Sequence, residues 1–447
     1  MRAFTSVNAL NFLAMKDFRV HSLDAKYIGP FEHLYIEFKK KEEKYKDEAE
    51  VHIFTGENGT GKSTILYLLT SYADTYLIRP RIQAANYTNF HNEINYSYSK
   101  GSDVPTSVGY KYSPNGLIID GKDPAPLIKY IASINNPKAA SKCSFAMFAY
   151  SGYRKIGNPK LESIKEIIES PLDSSLNFAI SSNAQMLLQW IANTKAREAL
   201  AFKNGEEKAA KDYELSLKKL QYAISEIIGS KIEFDLKSRP FDVFVEWNKT
   251  QLTFEVLPDG VKSIISWLGD LLMRLDRIEW ETDMDIFDRN FILFLDEIDI
   301  HLHPAWQRKI LPVVKKLFKN AQIFISTHSP FVVGSVKGAW VYRLKKEGQY
   351  AVLDGEPVLS DDAKSYDLVL AETFGIKERF GEAIENELKL FYDFRHRILI
   401  NELPYENEEF QSLAYGLAER GIELESIIGM ELRQLKRIKG IKENLHA

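Results

Sequence analysis

The sequence has one cysteine, Cys143, in 447 residues. A lone thiol cannot close an intrachain disulfide, which excludes a disulfide scaffold and fits a reducing compartment. Long apolar runs are also missing. No uninterrupted stretch approaches the ~18 residues that spanning a bilayer requires, so no membrane-spanning domain is expected. The opening MRAFTSVNALNFLAM holds one arginine and no apolar core ending in a small-residue cleavage site, which argues against a secretory leader. A large charge excess is absent too. Lys and Arg number 58 against 62 Asp and Glu, a formal net charge of -4, so any nucleic-acid contact must come from a local patch. No internal repeat or low-complexity tract is visible. The remaining composition, 45% hydrophobic and 27% charged, excludes a disordered or collagen-like chain. The length implies about three lobes, and the expectation is a soluble, cytoplasmic protein.

Hydrophobic periodicity divides the chain. Phe31 to Phe38 alternates, with Leu34, Ile36 and Phe38 on one side and His33, Tyr35 and Glu37 on the other, which predicts a strand. The mixed-charge run Lys39 to Glu50 reads as a solvated hairpin tip. Val51 to Phe54 reads as a short strand entering a glycine-rich turn, and Ser63 to Ala73 as a helix. Residues 80 to 140 are polar and weakly periodic, with loops and small strands expected. Asn183 to Ile228 is rich in Ala, Lys, Glu and Leu and broken only at Asn204-Gly205, which predicts a helical hairpin. Lys231 to Phe254 alternates again as strand. Strands over Phe291–Leu295, Ile323–Ser326 and Trp340–Leu344 alternate with helices 261–276 and 304–319, the pattern of a parallel α/β sheet. Near the end, Phe410, Leu413 and Leu417, then Leu424, Ile427, Ile428, Leu435 and Ile438, recur at helical spacing, with Gly421 between the two sets, and predict an all-helical appendage.

The strongest chemical signal is Gly56-Glu57-Asn58-Gly59-Thr60-Gly61-Lys62-Ser63, followed by Thr64. It has the G-x-x-x-x-G-K-S spacing between a predicted strand and a predicted helix. Glycines allow backbone angles that turn successive N–H groups inward, and the helix adds its positive end at the same point. Lys62 would supply a mobile cation for the outer phosphates of ATP, and the Ser63 hydroxyl a ligand for Mg²⁺. A second signal is the apolar strand Phe291–Leu295, which delivers Asp296 and Glu297 to its carboxyl end. Asp296 would orient Mg²⁺, and Glu297 would polarise the attacking water. His328 follows 31 residues after Glu297, at the end of the next apolar strand, where it could hydrogen-bond the γ-phosphate. His301 and His303 are two apart and invite a zinc reading, but no further ligand lies nearby and Pro304 opens a helix.

In this order the motifs resemble the ABC-type ATPase heads of the Rad50, RecF and OLD group. They run GENGTGKST, a helical insertion, LPDGVKS, FLFLDEIDIHLHP and STHSP. The wording LPDGVKSIISWLGDLLMRLDRIEW, with the helical tail, looks most like the PtuA family of Septu and some retron-linked anti-phage systems. The likeness spans about residues 15 to 440 and is looser in the insertion and tail. It implies an α/β P-loop head with a helical-hairpin insertion and an all-helical C-terminal appendage. The head would occupy 15–180 and 231–355, the insertion 181–230 and the appendage 356–447. It also implies that LPDGVKS stands where the signature motif lies, so that Asp259, Gly260, Lys262, Ser263 and His303 would meet the nucleotide of a second protomer. Tyr150 and Arg154 resemble a segment that replaces the glutamine loop; an ordinary turn is the alternative reading. Pro258 and Val261 stand where the family has serine and glutamate, which bears on hydrolysis more than on binding.

The resemblance further implies dimers or multiples of dimers and a separate HNH nuclease subunit gated by nucleotide. In a retron-linked system a reverse transcriptase and its RNA–DNA product would join them. DNA would be met mainly through the partner, with no membrane involved, and the tail, residues 365–447, is the expected docking surface. The competing reading is a RecF- or Rad50-like repair ATPase that binds DNA directly. The hairpin allows only ~20 residues per arm, about 30 Å, too short for a long coiled coil. The DEIDIHLHP wording and the absent glutamine loop weigh against a transporter subunit, and an OLD-type nuclease fits less well because the region after His328 lacks a strand-end glutamate followed by D-x-D, and Asp283-Met284-Asp285 lies in a loop before the acidic strand. The basic end Arg433 to Lys442 suits either a helix C-terminus or a partner contact.

Overall fold

A computed structural model of the chain describes residues 18–71, 77–82, 93–99, 106–113, 116–120, 142–143, 145–152, 159–161, 163–178, 182–361 and 363–440. The chain separates into two units, Met1–Val369 and Leu370–Ala447. The first unit begins with β1 (Arg19–Ile28), β2 (Phe31–Glu37), β3 (Glu50–Gly56), α1 (Lys62–Ser71), β4 (Glu93–Ser99), β5 (Thr106–Ser113), β6 (Gly116–Asp120) and β7 (Ala146–Tyr150). The alternation read in β2 holds: Phe31, Leu34, Ile36 and the following Phe38 are buried, while His33, Tyr35 and Glu37 face out. All of these strands except β3 and β7 form one antiparallel sheet in the order β2-β1-β4-β5-β6, which includes the small strands expected between residues 80 and 140.

The insertion follows as α2 (Ala184–Lys203) and α3 (Glu207–Ile228), joined at Asn204-Gly205 and ending on the left-handed Gly229. Asn183 caps α2 by accepting from the Met186 amide at 3.0 Å. Three antiparallel strands come next, β8 (Ile232–Ser238), β9 (Phe241–Trp247) and β10 (Thr250–Leu252). The helix expected over 261–276 is present but not uniform. It runs as α4 (Asp259–Ile264), a π-helical turn over Ile265–Gly269, and α5 (Asp270–Arg277). At that turn a Cβ on Gly269 would lie 2.7 Å from Leu187, so the missing side chain lets α2 approach closely.

The remainder of this unit includes β11 (Phe291–Leu295), α6 (Pro304–Leu317), β12 (Gln322–Ser326), β13 (Trp340–Glu347), β14 (Tyr350–Leu353) and β15 (Val358–Leu359), besides short helical turns. The central sheet has the order β14-β13-β3-β12-β11-β7, with β15 on β13. Strands β13, β3, β12, β11 and β7 are mutually parallel. Every residue of β7, β11 and β12 is buried, as expected for parallel strands covered on both faces. The antiparallel sheet packs over α1 and the central sheet in one apolar core that includes Leu23, Phe31, Ile65, Leu69, Phe294 and Phe324.

Two expectations change. The run Lys39–Glu50 is not a hairpin tip, because β2 and β3 belong to different sheets and the run crosses between them. Much of the run is exposed, but Lys41 is turned onto backbone: its ammonium donates to the carbonyls of Lys46 at 2.8 Å, Lys319 at 3.1 Å and Glu48. The helical appendage begins at Leu370 rather than 356, since Val358–Leu359 still pairs with β13. A two-residue strand carries no readable period. The second unit holds α7 (Glu382–Leu399), α8 (Glu408–Ala418) and α9 (Ile422–Lys439) around Phe391, Phe410, Leu417, Leu424, Ile428 and Leu435. Phe391 stacks on Phe410 with ring centroids 5.4 Å apart, whereas Ile438, counted in the apolar stripe from its spacing, is exposed.

Candidate functional site

The order β3-β12-β11 sets three strand ends side by side: the phosphate-loop end at Gly56, Ser326, and the acidic pair after Leu295. Adjacent strands lie about 4.8 Å apart, so short side chains can join them. The loop after β3 needs its glycines. Gly61 has φ +92, and a Cβ there would meet the Phe31 ring at 2.4 Å; Gly56 has φ +144, with the Leu344 carbonyl 2.2 Å from such a Cβ. Glu57, Asn58 and Gly59 form the exposed crown, while Thr60 is buried with its hydroxyl donating to the Glu57 carbonyl at 2.8 Å. The Lys62 ammonium donates to the Gly56 and Glu57 carbonyls at 2.9 and 2.8 Å, leaving its third proton available. Thr64 is buried at the start of α1 and accepts from Arg81 at 2.9 Å.

The Ser63 hydroxyl donates to Asp296 Oδ1 at 2.9 Å, joining the loop to the acidic strand across 233 residues of sequence. Ser326 completes the link, donating to the same oxygen at 2.5 Å and accepting the Glu297 amide at 2.8 Å. Glu297 has φ +48, a left-handed conformation, and Gly152 lies directly against its side chain. Asp299 accepts from the Thr327 hydroxyl at 2.5 Å. Lys62, Asp296, Glu297, Asp299 and His328 lie within electrostatic reach of one another. Burial lowers the Lys62 pKa, and the three carboxylates oppose that shift. Burial and then the Lys62 cation lower His328, which favours the neutral imidazole.

The residues read as nucleotide- and metal-binding, Gly56 to Thr64 and Asp296, and those read as catalytic, Glu297 and His328, therefore come together. The signature-like residues form a second group. Pro258 is the N-cap of α4, the Asp259 side chain is 84% exposed, and Lys262 donates to the Glu255 carbonyl at 2.7 Å. Ser263 is buried, and Gly260 packs so closely against the His301 carbonyl and Trp306 that a Cβ would lie 2.8 Å from each. His303 caps α6, its Nδ1 accepting the Ala305 amide at 3.2 Å. Among the described residues no group of three or more His, Cys, Asp or Glu could hold a metal, so the His301–His303 pair has no supporting ligands.

Tyr150 does not present its side chain to the site. It is buried, its hydroxyl donates to Asp270 Oδ2 at 2.9 Å, and Asp270 pairs with Arg274 at 2.5 Å. Arg274 in turn donates to the carbonyls of Pro171 and Asp173, both at 2.8 Å. The Tyr150 carbonyl accepts the Asp296 amide at 2.9 Å, so this residue ties α5 to the acidic strand. Arg154 lies outside the described residues. Sequence reading missed Ser326, Asp299, Gly152 and Asp270. The first two stand inside the STHSP and DEID wording and could have been found there; Gly152 and Asp270 carry no local signal.

Residues 158–334 match the family described as "AAA domain, putative AbiEii toxin, Type IV TA system", a span that contains the signature-like segment, the acidic pair and His328. The chain is 29% identical over 204 residues to the "Retron Ec83 probable ATPase" of Escherichia coli, covering 45% of this chain and 36% of that protein. It is 33% identical over 109 residues to the "Septu protein PtuA" of Bacillus thuringiensis, covering 24% of this chain and 28% of the other. The chain thus spans about a third of the length of the curated relatives it matches. Among solved structures, an SMC head bound to the C-terminal winged-helix domain of ScpA matches with TM-score 0.45 and 12% identity, over 76% of this chain and 97% of that one. The fold assignment rests on the strand order and motif placement rather than on that likeness. In sequence the chain is PtuA-like over part of its length, and its first unit has an α/β architecture that sets the phosphate-loop motif and the acidic pair at neighbouring strand ends of a mainly parallel sheet.

Proposed function

We propose that this chain binds ATP with Mg²⁺ and serves as the ATPase of a Septu- or retron-type antiviral defence system, assembling through paired heads and gating a separate HNH nuclease. The observation that carries the ATPase part is the bridge Ser63–Asp296–Ser326–Glu297, in which one hydrogen-bonded chain joins the phosphate loop, the acidic strand β11 and β12. Its donor set fits the metal: a hydroxyl and a carboxylate already share one point, and both are hard oxygen ligands suited to Mg²⁺. Bound there, Mg²⁺ would neutralise charge on the outer phosphates. Lys62 has a proton free for a phosphate oxygen, Glu297 orients water, and neutral His328 can donate or accept at the γ-phosphate.

The relatives' names support the defence assignment, and the exposed Asp259 of the signature-like segment supports pairing of two heads. The insertion helices, 20 and 22 residues long, reach about 30 Å, which favours this reading over a repair ATPase with a long coiled coil. The helical unit Leu370–Ala447 has its own core and is the proposed docking element for the nuclease. No helix among the described residues is long and apolar enough to cross a membrane.

The test combines purified chain, plasmid DNA and Mg²⁺, with and without an HNH subunit from a neighbouring gene. Cleavage is expected only with that subunit and is expected to change with ATP. Glu297→Gln should lengthen the lifetime of bound ATP and hold the paired state. DNA cutting by the chain alone, lost on mutating a carboxylate outside Asp296 and Glu297, would refute the gating role. Wild-type ATP lifetime in Glu297→Gln would refute the role given to that residue.

A further inference from the structure

β13 runs parallel to β3 with Leu344 beside Gly56, so its next residues pass alongside the phosphate loop. Side chains alternate along a strand, which puts Leu344 and Lys346 on one face and Arg343 and Lys345 on the other. The second pair is satisfied away from the loop: Lys345 and Arg343 both reach Asp354, at 3.1 and 3.8 Å. Lys346 instead leans on the crown of the loop. Its ammonium lies 3.5 Å, and its Cε 3.6 Å, from where a Cβ on Gly59 would sit.

The hairpin that carries Lys346 is held against the loop at two further points. The Leu344 carbonyl packs against Gly56, and Ala351, the cross-strand partner of Lys346, donates its amide to the Pro30 carbonyl at 2.8 Å. Pro30 in turn packs under Gly61. Lys346 is exposed, and among the described residues it has no ion-pair partner. A cation that ignores the carboxylate its neighbours share, and rests on a glycine of an anion-binding loop, has an electrostatic reason to be there only when an anion is bound.

We infer that Lys346 is a second cation for the phosphate chain of the nucleotide, acting from outside the phosphate-loop motif beside Lys62. The inference rests on the nucleotide-binding reading above and adds to it a residue that no motif contains. The contact is solvent-exposed, so its strength should be modest and sensitive to salt.

The test measures ATP affinity by titration at two salt concentrations in the full chain, with inorganic tripolyphosphate as a competitor. Lys346→Gln should weaken ATP and tripolyphosphate alike by about fivefold at low salt and by less at high salt. Lys346→Glu should weaken both by more than tenfold, about 1.4 kcal/mol. Lys346→Arg should stay near wild type, as should Lys345→Gln on the opposite face. Four results would overturn the inference: ATP affinity of Lys346→Gln within twofold of wild type; weakened ATP with unchanged tripolyphosphate competition, which would place the contact at the base or sugar; equal loss in Lys345→Gln; or loss of head pairing with unchanged ATP affinity. If Lys62→Ala weakens ATP at least tenfold while Lys346→Gln stays within twofold of wild type, only this inference fails. If the wild type binds no ATP, the reading beneath it fails as well.

Discussion

Gly152 should be intolerant of any side chain, for a reason unrelated to its own backbone. A Cβ built on it would lie 2.6 Å from Glu297 Cβ, 2.9 Å from Glu297 Oε2 and 3.0 Å from Ile300 Cδ1. Carbon atoms in contact prefer about 3.5–4.0 Å, so Gly152→Ala forces a separation of about 1 Å. The end of the Glu297 side chain could swing aside, but its Cβ moves only with the backbone. That backbone is pinned: the Glu297 amide is bound to Ser326 and the Asp296 amide to the Tyr150 carbonyl. Overpacking of this kind costs about 1–3 kcal/mol of stability. A carboxylate displaced by about 1 Å from the attacking water costs on the order of a hundredfold in rate. Gly152→Ala should therefore bind ATP within about threefold of wild type, because the phosphate loop is untouched, yet hydrolyse it on the order of a hundredfold more slowly. Single-turnover hydrolysis of radiolabelled ATP, beside a binding titration and a thermal melt, separates these quantities. A variant that hydrolyses ATP at the wild-type rate with an unchanged melting temperature would show that Gly152 does not hold Glu297 in place.

Lys62→Ala removes a charge-assisted hydrogen-bond donor worth about 1.5–3 kcal/mol and should weaken ATP roughly tenfold to a hundredfold in a calorimetric titration, with the fold retained. Arg274→Met strips the partner from Asp270, which is fully buried, and should cost about 3–5 kcal/mol in denaturant unfolding. Burial raises the Asp270 pKa and Arg274 opposes that rise, so the loss should shrink at low pH, where the carboxyl left without its counter-charge can protonate. His21 is lowered to about 4 by burial and then by the Arg19 and Lys40 charges. Between pH 6.5 and about 4 the unfolded chain binds the proton that the folded chain refuses, so stability falls as pH falls through that window. His21→Gln should flatten the dependence, read as denaturation midpoints across pH 4 to 7; an unchanged slope would mean that other groups carry it.

Some of this architecture was legible from residue order alone. The phosphate loop was readable because eight consecutive residues must share one backbone course, and only that glycine spacing allows it. The apolar strand Phe291–Leu295 and the helical hairpin broken at Asn204-Gly205 were readable because period and breakers are local properties. Lys39–Glu50 is solvated over most of its length, as its mixed charge suggests, but its place as a crossing between two sheets rather than a hairpin tip is a long-range fact. The boundary at Leu370 was hidden for a related reason: whether Val358–Leu359 pairs with β13 is a long-range fact.

The site itself was only half written in the motifs. Local spacing placed Ser63 at the loop and Asp296 at a strand end, but nothing in either segment says that β12 lies between them and that Ser326 bridges them. Tyr150 looked like a site residue by its wording, yet 120 residues later Asp270 draws its hydroxyl inward. Gly152 and Lys346 matter solely through what packs against them, Glu297 in one case and Gly59 in the other. Residue order alone marked the segments proposed to bind phosphate and to carry the acids, because those demands are met within a few residues of backbone. Strand order and packing decided which distant side chains share a carboxylate, crowd a glutamate or lean on the loop, because such contacts exist only once the sheet has brought the ends of β3, β12 and β11 within a few ångströms of one another.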